Sequence, residues 1–146
     1  MGYRSDVRII TSKQGFNKLK KYINEFMNQE EYKNNVYNLL NNLDIDIGNN
    51  KIKYFGWNDI KWYYSDANLI EKGLNKLQDD DYSYKFSRIG DNYEDTEEII
   101  YESKTRKNEK NMIHYYNLER YFNDDYIEEL INQNDKTIKK NDDYER

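Results

Sequence analysis

The order of apolar and polar positions predicts strands and helices mixed along the whole chain. Residues 3–11 (YRSDVRIIT) set Val7 and Ile9 on one side with Ser5, against Asp6 and Arg8 on the other, which is the two-residue period of a strand. Ser12 then offers an N-cap. Phe16, Leu19, Ile23, Phe26 and Met27 recur at three- and four-residue spacing, predicting an amphipathic helix over 13–29. Tyr32, Val36, Leu39, Leu40 and Leu43 resume that spacing after a break near Glu30 and predict a second helix. Gly48-Asn49-Asn50 is a turn signal between 44–47 and 51–57, where a hairpin is expected. Residues 58–65 (NDIKWYYS) fit neither period. Asp66 is expected to cap a helix whose inner face is Leu69, Ile70, Leu74 and Leu77, weakened but not broken by Gly73. Residues 82–89 alternate again, with Tyr82, Tyr84 and Phe86 on one side, and Gly90-Asp91-Asn92 turns the chain. Strands are expected over 97–103 and 111–118 around a charged loop, and a short helix from Asp124 through Ile131.

These elements define an α+β fold class: an antiparallel or mixed sheet of about five strands against two to three helices, with the first and third helices on one face. The strands lie too close together for a doubly wound parallel sheet, whose crossovers need a helix each. No internal repeat or linker divides the chain, so residues 1–133 are expected to form a single domain. Residues 134–146 follow no period and are expected to be a flexible tail.

Composition changes the picture in one respect. Charged residues nearly equal hydrophobic ones, 35% against 36%, and the mean hydropathy of -1.25 raises the question of disorder. Sixteen tyrosines, five phenylalanines and two tryptophans answer it, because each ring buries a large area and a core can be built from rings. At 146 residues such a domain buries roughly two-thirds of its unfolded surface. The absence of proline, the many asparagines and the excess of lysine over arginine fit coding by an AT-rich genome. The opening MGYRSDVRII is charged and without a signal-type apolar stretch, and no apolar run is long enough to span a membrane, so the cytosol is the expected compartment. The lack of cysteine excludes disulfides and fits a reducing environment.

Charge is unevenly placed. Residues 44–103 carry fourteen Asp/Glu against seven Lys/Arg, whereas residues 1–43 carry four against seven. Acidity is densest at Asp79, Asp80 and Asp81 and at Asp91, Glu94, Asp95, Glu97 and Glu98. Such a surface repels phosphate backbones, so general nucleic-acid binding is not expected. It serves either as a solvated rim or as a docking surface for a basic partner.

Common catalytic constellations are missing. One histidine, His114, and no cysteine exclude a His-rich zinc site and a Cys–His pair, and no G-x-S-x-G element supports a serine triad through His114. His114 reads as a structural or surface imidazole. The six glycines form no phosphate-cradling motif, so no cofactor is implied. Asp91, Glu94 and Asp95 leave a carboxylate-only magnesium site open, although their spacing is not that of an EF-hand. The rings of 82–86 either stack bases or face the helices as core, and the absence of the glycine-containing RNA-binding pattern favours core. Trp57, Trp62, Tyr63 and Tyr64 place four large rings within eight residues, beside Asp59, Lys61 and Asp66. One short segment is not expected to bury all four, which makes this an expected contact site.

Three motifs in order, Met1-Gly2-Tyr3-Arg4-Ser5-Asp6-Val7, Asp59-Ile60-Lys61-Trp62-Tyr63 and Arg88-Ile89-Gly90-Asp91 followed by Asp95 and a further acidic residue, resemble small accessory proteins of bacteriophages and prophages. They span residues 1–98 and carry no catalytic assignment. The resemblance implies an accessory protein of the kind that includes anti-CRISPR and other anti-defence inhibitors, with a host nucleic-acid-handling complex such as a CRISPR effector as partner. Contact residues would then be Trp57, Asp59, Trp62, Tyr63, Tyr64, Asp79, Asp80, Asp81, Asp91, Glu94 and Asp95. Two alternatives stand beside it. One is an enzyme or binding protein for a small phosphorylated or cyclic nucleotide signal, held by Arg4, Arg8, Arg88 and carboxylates; the other is a phage structural or assembly subunit.

Overall fold

The computed structural model describes residues 4–32, 36–62, 65–91, 94–115 and 122–133. Five strands, β1 (Arg4–Ser12), β2 (Ile45–Gly48), β3 (Ile52–Lys61), β4 (Tyr84–Ile89) and β5 (Thr96–Tyr101), form one antiparallel sheet in the order β2-β3-β1-β4-β5. Two long helices, α1 (Lys13–Met27) and α2 (Ser65–Asp79), pack side by side on one face. Residues 124–133 form a further helix, α3. The arrangement is α+β, as expected from the sequence.

The connectivity is two interleaved split β-α-β units. β1 and β2 run parallel with β3 between them, and β3 and β4 run parallel with β1 between them. This is the ferredoxin-like strand order, extended by the β4–β5 hairpin.

Local chemistry explains the boundaries. The Ser12 hydroxyl accepts the Gly15 N–H at 2.9 Å and starts α1, which turns Phe16, Leu19, Tyr22 and Ile23 inward. Asn49 forms the β2–β3 turn by accepting the Lys51 and Ile52 N–H groups at 2.8 and 2.9 Å. Gly73 lets α2 approach α1 closely, since a Cβ there would lie 2.5 Å from Leu19 Cδ1 and force that side chain to shift. Against the sheet these helices enclose a run of rings, Phe16–Phe55–Trp57–Trp62–Phe86, with successive centroids 4.8–6.2 Å apart. Each such ring contributes roughly 2–3 kcal/mol of burial. Tyr82, Tyr84 and Phe86 belong to this helix-side core, not to an open face.

The opposite face is covered too. Met112, Ile113, Ile127 and Ile131 close over Ile10 and Tyr54. Arg8, with its side chain only 3% exposed, is locked there by a bidentate pair to Asp124, both nitrogens at 2.9 Å. Its other donors reach the Val7 and Trp57 carbonyls and Asn58, and Tyr54 donates to the same Asp124 at 2.8 Å. Burial opposes the charge on Arg8, but hydrogen bonding and attraction to Asp124 outweigh it and hold its pKa above the usual value.

Three expectations are corrected. The second helix is absent among the described residues: Leu39–Asn41 makes one 3-10 turn, started by Asn38 accepting the Leu40 N–H and ended at Asn42, whose φ of -142° and ψ of 67° are not helical. Leu39, Leu40 and Leu43 pack against the helix-side core without a continuous helix to carry them. The start of the expected 111–118 strand is instead a 3-10 turn, Met112–His114. Met112 and Ile113 are both buried in one cluster, which a strand would prevent by sending them to opposite sides; residues 116–118 lie outside the described residues. Asp66 sits inside the first turn of α2 and accepts the Tyr37 N–H at 2.8 Å instead of capping. Residues 134–146 also lie outside the described residues.

Candidate functional site

Asp91, Glu94, Asp95, Glu97, Glu98 and Glu102 lie in or beside the β4–β5 hairpin. Gly90 N–H donates to the Asp95 carbonyl at 2.7 Å, and a Cβ on Gly90 would lie 1.9 Å from Asp95 Oδ2, so a larger residue there would push the Asp95 carboxylate aside. Arg88 extends from β4 across the hairpin and binds Asp95 at 2.8 Å, Glu97 at 3.4 Å and Ser5 Oγ at 2.9 Å. The hydrogen bond from Arg88 is the main reason the Asp95 carboxyl lies below its ordinary range. Lys85, buried on the other face, lies 3.7 Å from Glu98; burial pulls its pKa down, and Glu98 partly offsets this. Both cations are drawn under the hairpin, whereas Asp91, Glu94, Glu97, Glu98 and Glu102 are exposed. Glu71 of α2 adds to this side. Desolvation, then repulsion from Glu97, raises its carboxyl pKa against the Trp62 indole N–H bonded to it at 3.1 Å.

The Asp79–Asp81 run is not one patch. Asp79 and Asp80 are exposed, and Asp80 accepts the hydroxyl of Tyr22. Asp81, at φ 64°, turns back and holds the loop after β5. Its carboxylate accepts from Tyr101 Oη at 2.6 Å, Ser103 Oγ at 3.0 Å, the Lys104 and Thr105 N–H groups at 2.9 and 3.0 Å, and Thr105 Oγ1 at 2.5 Å. These hydrogen bonds, Thr105 and Tyr101 foremost, push its pKa far below the carboxylate range. Asp81 is a structural staple whose oxygens are already taken.

Two of the four rings expected at a contact site are buried. Trp57 and Trp62 are 2% and 5% exposed and lie in the core, so neither ring is a contact surface; Tyr63 and Tyr64 fall outside the described residues. Positions five apart on a regular strand face opposite ways. Here β1 advances from Ser5 to Val7 while β3 retreats from Ile60 to Trp57, so one extra residue is bulged at Asn58–Asp59 and both indoles turn to the helix side. Asp59 takes φ 53°, its N–H donates to Asp6 at 2.9 Å, and Arg4 bonds its carbonyl at 2.7 Å. The Asn-Asp pair was the available signal, since these residues tolerate the left-handed region. The Asp59 side chain is exposed, 3.7 Å from Arg4.

A cavity of about 620 Å³ opens between the start of α1, the β2–β3 turn and residues 108–115. Its lining includes Lys13 and Lys51, the amides of Asn17, Asn50, Asn108 and Asn111, and Ile52, Met112 and Tyr115. Sequence reasoning missed it because its walls come from three distant segments. Arg4, Arg8 and Arg88 do not converge: each is held by its own carboxylate. His114 is exposed. Among the described residues no cluster of three His, Cys, Asp or Glu side chains is placed to hold a metal ion, so Asp91, Glu94 and Asp95 do not assemble one. No helix among the described residues is long and apolar enough to cross a membrane. No family model, curated protein or solved structure matches the chain.

Proposed function

We propose that the chain is a non-enzymatic binding protein that docks on the basic surface of a nucleic-acid-handling partner, in the manner of phage accessory inhibitors directed at host defence complexes such as CRISPR effectors. The observation that carries this reading is the exposed carboxylate group of the β4–β5 hairpin, Asp91, Glu94, Glu97, Glu98 and Glu102, whose nearby cations are turned inward. Such a field attracts a cationic groove and repels a free phosphate backbone. The sheet face that RNA-binding modules of similar topology leave open is closed by α3 and the 3-10 turn, which favours a protein partner over direct base stacking. The test is plating of a targeted phage on bacteria carrying an active CRISPR effector, with and without the chain. Restored plating that is lost on Glu94→Lys/Glu102→Lys is the expected result. No restoration against any effector of a representative panel, with no competition against their nucleic acid in vitro, overturns it.

The cavity favours a second reading, a receptor for a small phosphorylated nucleotide. Lys13 and Lys51 supply cationic charge, the amides supply paired donors and acceptors, and Tyr115 supplies a ring. A thermal-shift screen of mononucleotides and cyclic nucleotides, with and without magnesium, is expected to raise the Tm under this reading; a flat screen removes it.

A further inference from the structure

We infer that β5 is a docking strand whose outer edge pairs with an extended basic segment of the partner; this rests on the acidic-docking reading above and specifies its geometry. β5 ends the sheet, and of its six residues Thr96–Tyr101 five are exposed. Ile99 and Ile100 are 43% and 47% exposed. They pair with Phe86 and Lys85 and so lie on opposite faces, where one added strand, about 4.8 Å away, would cover both.

Folded proteins ordinarily protect such an edge with a short strand, a bulge, proline or lysine. The other edge of this sheet is protected. β2 has four residues, Ile45 and Ile47 are half buried under the second cluster, Asp46 is paired with Lys53, and a Cβ on Gly48 would lie 2.6 Å from the Ile52 carbonyl. β5 has none of the usual guards: its register with β4 is unbroken over six pairs, and it contains neither lysine nor proline. Among the described residues, its one deterrent is negative charge. Glu97 and Glu98 lie on it, with Glu94 and Glu102 just beyond its ends. A second copy would bring glutamates against glutamates, whereas a basic strand would satisfy charge and edge together. The occupant is therefore a lysine- or arginine-bearing strand of a protein partner.

The probe is a short peptide alternating lysine and valine, compared with its fully N-methylated counterpart, which keeps charge and side chains but cannot donate backbone hydrogen bonds. Hydrogen exchange and NMR shifts of the whole chain are the readouts. The unmodified peptide is expected to bind with slowed exchange confined to Thr96–Tyr101, and the N-methylated one about tenfold more weakly. Glu94→Lys/Glu102→Lys, at two exposed carboxylates without ion-pair partners among the described residues, is expected to weaken the unmodified peptide about tenfold. Equal affinity for both peptides overturns strand pairing and leaves acidic docking standing. Binding of neither removes both. A dimer of the chain with protection on β5 overturns the basic occupant in favour of a second copy.

Discussion

The two faces of the sheet are closed by different physics. The helix side is a continuous run of rings, Phe16, Phe55, Trp57, Trp62 and Phe86, enclosed by two fifteen-residue helices. The opposite side is a smaller, mostly aliphatic cluster fastened by the buried ion pair of Arg8 with Asp124. Non-directional burial grips wherever apolar area is large, whereas the smaller cover depends on a few directed bonds. The helix side should therefore set global stability, and the second side should open locally without it.

The sharpest way to break this contrast is Trp57→Ala. Removing a fully buried indole at the centre of the run should cost about 3–5 kcal/mol, a large part of what a small domain has, and shift the whole urea transition. Asp124→Ala is the matching change on the other face. Arg8 keeps its bonds to the Val7 and Trp57 carbonyls and to Asn58, so the expected loss is about 2–3 kcal/mol. Hydrogen exchange should quicken over 124–131 while α1 and α2 keep their protection; uniform acceleration would mean the faces are not separable. Gly73→Ala probes the fit between the two helices. The added methyl meets Leu19 and should destabilise by about 1–2 kcal/mol, where a surface helix would gain stability from the same change.

The smallest expected effect concerns pH. Because the folded pKa of Asp81 lies below its ordinary 3.8, the folded state favours the ionised carboxylate. That contribution is complete above the unfolded value and is lost as pH falls from there through the folded pKa. Asp81→Asn should flatten the dependence of unfolding free energy on pH below about 4. An unchanged slope would show that other carboxylates carry it.

Local periodicity made α1, α2 and the outlying strands legible, because Phe16, Leu19 and Ile23, or Leu69, Leu74 and Leu77, report burial by spacing alone. It failed where burial came from elsewhere. Leu39, Leu40 and Leu43 are spaced as a helix yet held by a 3-10 turn and by Trp57, whose indole N–H binds the Leu39 carbonyl at 3.0 Å. Trp57 and Trp62 were expected at a contact site, yet the bulge at Asp59 turns both into the core. Of the expected contact residues, the carboxylates around Asp91 and Glu94 are on the surface as charge density suggested. Asp81 is not available, because five donors from distant positions converge on it, and no pattern local to Asp79–Asp81 announces them.

Arg8 and Asp124 stand 116 positions apart. β1, the first strand of the chain, is also the centre of the sheet, with neighbours that arrive some fifty and eighty residues later. During synthesis that central strand must wait for both neighbours, and its arginine stays hydrated until Asp124 has followed. Loop closure over such separations makes sheet assembly slow, so the clamp that closes the second face can form only after the strands it fastens.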